Sequence, residues 1–113
     1  MSRHVGTRWA GELQMDIAVR DLRGHEGILL FDVTFLHGRE RATITEVGQS
    51  PFSAWRGDDA DDPSLLDKIA QAAVSFACDE HAGVEVAEMR DTIENETCGY
   101  SDDQGTLAVR REA

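Results

Sequence analysis

Apolar and polar residues alternate with period two at the start of this chain. Between residues 8 and 20, Trp9, Leu13, Met15, Ile17 and Val19 fall on one side, and Glu12, Gln14, Asp16 and Arg20 on the other. Such a pattern predicts a half-buried antiparallel strand over 8–20. Asp21 to Gly27 holds two glycines and reads as a loop. The next strand, 27–37, is the most apolar. Leu29, Phe31, Val33 and Phe35 fill one face, and Ile28, Leu30, Asp32, Thr34 and Leu36 make a mixed one, as in a strand central to its sheet. His37-Gly38-Arg39 makes a tight connection to a third strand at 41–47, rich in threonine and β-branched residues. Short links between consecutive strands predict an antiparallel meander.

The period then changes. Gly48 to Gly57 is irregular, with Ser50-Pro51 as a breaker and Phe52 and Trp55 as anchors onto the core. Aspartates 58, 59, 61 and 62 follow, and Pro63 opens a helix expected over 63–81. Proline suits the first helical position, and Asp62 or Ser64 is placed to cap the free amides. Leu65, Leu66, Ile69, Ala73, Phe76 and Ala77 form its apolar stripe, and Gly83 is a C-terminal stop. Beyond it, Val84 to Met89 partly alternates and is read as a strand, although Val86, Met89 and Ile93 also fit a short helix. Cys98 to Gly105 reads as a turn, and Thr106 to Arg111 as a final strand. The expectation is one α+β domain spanning 1–113: a meander, one main helix packed on it, and a C-terminal strand pair or short helix.

Composition adds little until charge is mapped. With 113 residues, 41% hydrophobic and 29% charged, the chain has the make-up of one globular domain. No apolar run approaches the roughly 18 residues of a membrane span, and the first residues lack a signal-peptide core, so a cytoplasmic protein is expected. The net charge is −11. Residues 1–57 are neutral, with seven acids and seven arginines; residues 58–113 carry fifteen acids against Lys68, Arg90, Arg110 and Arg111. Asymmetry of this kind points to a charged partner, beside the plainer reading of a solubilising face.

Catalytic patterns are scarce. Cys78 and His81 lie three apart, and Cys98 with a further histidine would complete a zinc set, but there is no CxxC pair, so no metal and no cofactor are expected. His4, His25, His37 and His81 belong to no hydrolase motif and read as solvated loop residues, and no phosphate-cradling glycine motif occurs. Paired carboxylates are too abundant for any one pair to mark a glycosidase. Direct binding to DNA or RNA is opposed by the negative charge.

The acidity itself suggests a role. A concentrated negative face can occupy a basic groove on a partner protein, in particular a nucleic-acid-binding one, with charge speeding the encounter and a few packed anchors supplying affinity. The residues expected to form that face are Asp58, Asp59, Asp61, Asp62, Glu80, Glu85, Glu88, Glu94, Glu96, Asp102 and Asp103, with Trp55 and Tyr100 as anchors. Strand rise, about 3.3 Å per residue, is close to the phosphate spacing of about 3.4 Å along a DNA strand, so acids on a strand are able to imitate a backbone. Phage anti-defence proteins (anti-CRISPR or anti-restriction inhibitors) and immunity proteins for nuclease toxins share this size and charge, a likeness that extends to no motif. The alternative expectation is a structural or homo-oligomeric protein, such as a phage-particle component, using the face bearing Ile28, Leu30 and Leu36.

Overall fold

The computed structural model describes residues 2–20, 29–47, 62–97 and 110–111. Strands β1 (Ser2–Ala10), β2 (Leu13–Arg20), β3 (Phe31–His37), β4 (Glu40–Val47) and the two-residue β5 (Arg110–Arg111) form one sheet, ordered β4-β3-β2-β1-β5. Every pairing is antiparallel. Helices α1 (Pro63–Ala77) and α2 (Val84–Glu96) pack on it, and the architecture is α+β with two helices. The segments 21–28, 48–61 and 98–109, and with them the expected loop, the anchors Phe52, Trp55 and Tyr100, and most of the final strand, lie outside the described residues.

Alternation builds the sheet's inner face. Leu13, Met15, Ile17 and Val19 of β2 stand beside Phe31, Val33 and Phe35 of β3, which stand beside Ala42, Ile44 and Val47 of β4. All ten are buried and belong to one cluster with Leu65, Leu66, Ile69, Ala70, Ala73, Val74 and Ala77 of α1 and Val86, Met89 and Ile93 of α2. The phase holds in β4 because a bulge opposite Phe31 and Val33 accommodates one extra residue, so Ile44 and Val47 both face inward.

The expected strand over 8–20 is two strands. Gly11, with φ of +59°, and Glu12 make a two-residue turn between the paired Ala10 and Leu13. Glycine takes this left-handed conformation without steric penalty. A two-residue turn reverses parity, so Trp9 pairs with Gln14 on the outer face, and Arg8, paired with Met15, points inward. The alternation that seemed to run through residue 9 was therefore broken by the hairpin.

Arg8 is 6% exposed beneath α1. Its Nε donates to Asp67 Oδ1 at 2.6 Å, and its guanidinium nitrogens also donate to the carbonyls of Thr7 (2.8 Å) and Pro63 (3.2 Å). The helix approaches closely enough that a Cβ on Gly6 would lie 2.7 Å from Leu66 Cδ1.

Both helices differ from expectation at their ends. Asp62 caps α1, accepting from the Ser64 amide at 2.9 Å, with Pro63 following it. The helix stops at Ala77, with Cys78 as its C-cap, earlier than residue 81. Gly83 is the N-cap of α2, not the end of α1. The strand expected from Val84 is the helix α2, because Val86, Met89 and Ile93 all face the core at helical spacing, which outweighs the short alternation before them. No helix among the described residues is long and apolar enough to cross a membrane.

Removing the carboxylate under α1 tests the packing. Asp67→Ala leaves the buried Arg8 guanidinium without its counter-charge and is expected to cost about 2–4 kcal/mol of stability, read from urea unfolding midpoints. Asp67→Asn, which keeps a hydrogen-bond acceptor, should cost less.

Candidate partner-binding site

Exposed acids lie on α2 and in the turn before it. Helix α2 puts Glu85, Glu88, Asp91 and Glu94 at steps of three, and all four are exposed. They wind across the solvent side while Val86, Met89 and Ile93 hold the opposite side in the core. Glu80, also exposed, precedes the helix, with its carboxylate 3.7 Å from His81. Like charges at this spacing cost a helix a few tenths of a kcal/mol per pair, so helix stability does not account for the stripe.

Of the arginines of the opening strands, Arg41 of β4 lies beside Glu85 and Glu88, and two others are engaged elsewhere. Arg8 is spent on Asp67, and Arg20 pairs with Asp32 at 2.8 Å on the outer face of the sheet. Arg90, on α2 itself, turns away to donate to the Asp79 carbonyl at 2.7 Å and the Ala77 carbonyl at 3.4 Å. It thereby supplies a cation at the C-terminal end of α1, whose own last turn has no basic residue. Among the described residues no ion pair reaches Glu85, Glu88, Asp91 or Glu94.

Beside this stripe two large apolar side chains are exposed. Phe76, expected in the core, is 48% exposed in the last turn of α1, and Val84 is 76% exposed at the start of α2. Together with Thr43, Ile44 and Thr45 of β4 they line a groove of about 380 Å³. The seam continues past Glu40, Arg41, Glu85 and Glu88. Strand β4 is the sheet edge here, with no strand beyond it among the described residues.

The expected acidic residues divide into groups. Glu80, Glu85, Glu88 and Glu94 share the exposed region around α2, and Asp62 is exposed at the start of α1. Asp58, Asp59, Asp61, Asp102, Asp103, Trp55 and Tyr100 lie outside the described residues. Because the clustered acids occupy a helix, the match between strand rise and phosphate spacing does not apply to them. Asp91, Glu40, Phe76 and Val84 were not anticipated. Asp91 was legible as the missing member of the three-residue spacing once α2 is read as a helix.

Glu96 belongs elsewhere. It is the last residue of α2, half-buried, and its Oε1 lies 3.2 Å from Nε2 of His37, the last residue of β3. Its Oε2 accepts the Glu12 backbone amide at 2.8 Å, in the β1–β2 turn. The Glu12 carboxylate approaches the same Nε2 at 3.9 Å. His37 is thus not a solvated loop residue but a joint between three elements. His4 lies on β1, with Nε2 3.2 Å from Thr7 Oγ1. His81 is exposed, and Cys78, half-buried, packs against the core. Cys98 and His25 lie outside the described residues.

Comparison with known proteins finds no matching family model, no matching curated protein and no matching solved structure.

Gly11→Ala tests the joint from the turn side. A methyl group there would fall on the Glu96 carboxylate, and φ of +59° is strained for alanine. The expected loss is about 1–3 kcal/mol, measured by denaturant unfolding.

Proposed function

We propose that this protein is a non-enzymatic binding protein whose acidic α2 surface occupies a basic, nucleic-acid-binding site on a partner protein. The observation that carries this reading is the placement of Glu85, Glu88, Asp91 and Glu94, exposed and without ion pairs among the described residues, beside the exposed apolar Phe76 and Val84. Carboxylates steer the encounter with a cationic groove, and apolar side chains buried at its centre supply the affinity that charge by itself does not. An inhibitor of a nuclease, a restriction enzyme or a guide-RNA effector fits this description, as does an immunity protein. Arg90 supports the reading because it serves the end of α1, where it neutralises none of the stripe.

A second reading is self-association, favoured by the open edge of β4 next to the Phe76–Val84 groove. It uses a different surface from the one expected: Leu30 is 7% exposed and Leu36 half-buried, and Ile28 lies outside the described residues. Sedimentation velocity at micromolar concentration separates the two, since a stable homo-oligomer favours self-association.

The main reading predicts salt-sensitive binding that nucleic acid competes away. In a binding assay with a partner captured from a host lysate, the triple variant Glu88→Lys, Asp91→Lys, Glu94→Lys should bind at least about tenfold more weakly, because rim and core charges facing a basic groove become repulsive. Its circular dichroism should stay unchanged, as all three side chains are exposed. Affinity indifferent to salt, to competing DNA or RNA and to these charge reversals would remove the proposal.

A further inference from the structure

We infer that Glu12, His37 and Glu96 form a binding site for a divalent first-row transition ion of the zinc class. One ligand atom from each lies within 4.8 Å of the other two. Around a tetrahedral ion with ligand bonds of about 2.0–2.2 Å, neighbouring ligand atoms stand about 3.4 Å apart. The separations from His37 Nε2, 3.2 Å to Glu96 and 3.9 Å to Glu12, bracket that value.

Three independent features prepare the place. The residues come from the β1–β2 turn, the end of β3 and the end of α2, so the tertiary fold brings them together. The second oxygen of Glu96 is already held by the Glu12 amide, the kind of outer hydrogen bond that orients a ligating carboxylate. Gly11 leaves the space that the Glu96 carboxylate fills, space that a Cβ would take. Electrostatics acts in the same direction. The last carbonyls of a helix carry partial negative charge, and two carboxylates face a single imidazole, so a dication cancels the charge gathered there.

The donor set selects the ion. One imidazole and two carboxylates suit zinc or its first-row neighbours, while calcium and magnesium prefer oxygen throughout. A ligating imidazole is neutral, so an ion held by Nε2 leaves the ring hydrogen on Nδ1. Three protein ligands leave positions open to water or to a group on a partner. Glu12, with its side chain 86% exposed, supplies the third ligand from the solvent side.

Zinc chloride titrated into the full chain by calorimetry tests this inference, with long-range 15N NMR observing the His37 ring. The expected result is one zinc per chain, a His37 Nε2 resonance that moves on binding, and a melting temperature raised by zinc more than by magnesium. Glu12→Gln, which leaves the backbone amide bond to Glu96 in place, should weaken binding at least about tenfold. His37→Gln should abolish it, and Cys78→Ser should leave it unchanged. No heat up to millimolar zinc, a silent His37 ring, or binding that survives both Glu12→Gln and His37→Gln would overturn it.

Discussion

The constraint on which the other features depend is that the apolar cluster lies against one face of this sheet. Ten side chains from β2, β3 and β4 project to the same side, and α1 and α2 together are needed to cover them. The other face carries a polar network among the described residues: Asp16 accepts from Thr7 and Gln14, and Arg20 pairs with Asp32. One-sided burial sets where each helix lies, and hence which acids are turned to solvent. Because α2 contributes Val86, Met89 and Ile93 to the core, the acids between them have nowhere to go but outward.

Part of the charge segregation along the chain becomes spatial on α2, where Glu85, Glu88, Asp91 and Glu94 are all exposed. Arg8 and Arg20 are used near where they arise, inside the sheet–helix contact and across neighbouring strands respectively. Arg90, the one cation on α2, is drawn to the end of the preceding helix, where it donates to the carbonyls of Ala77, the last residue of α1, and of Asp79 just beyond it. Among the described residues the four exposed acids of α2 form no ion pair, with Arg41 of β4 the arginine that lies beside Glu85 and Glu88. The apolar groove beside it arises from the same corner, where α1 ends at Ala77, α2 begins at Val84 and β4 has no further strand among the described residues.

Glu96 shows how sequence proximity misleads. It follows Glu94 closely and was grouped with the acidic surface, yet two residues along a helix turn a side chain through roughly 200°. Glu94 consequently faces solvent, while Glu96 meets His37 and the Glu12 amide. A residue at the end of a helix also lies where neighbouring turns arrive, which is why three elements converge there.

Local physics was readable directly. The inward residues of β2 and β3, the Asp62–Pro63 start of α1, the α+β class and the excess of acid after residue 57 all follow from period, capping chemistry and composition, which act over a few residues. What required the tertiary structure was anything depending on parity or distance. The Gly11–Glu12 turn reversed the facing of Trp9 and Arg8, and a weak alternation at Val84 gave way to a helix because the core supplied partners at the helical period. Likewise, Glu12, His37 and Glu96, separated by 25 and 59 positions, met only through folding. Short-range preferences select elements, but long-range packing decides which side chains those elements bring face to face.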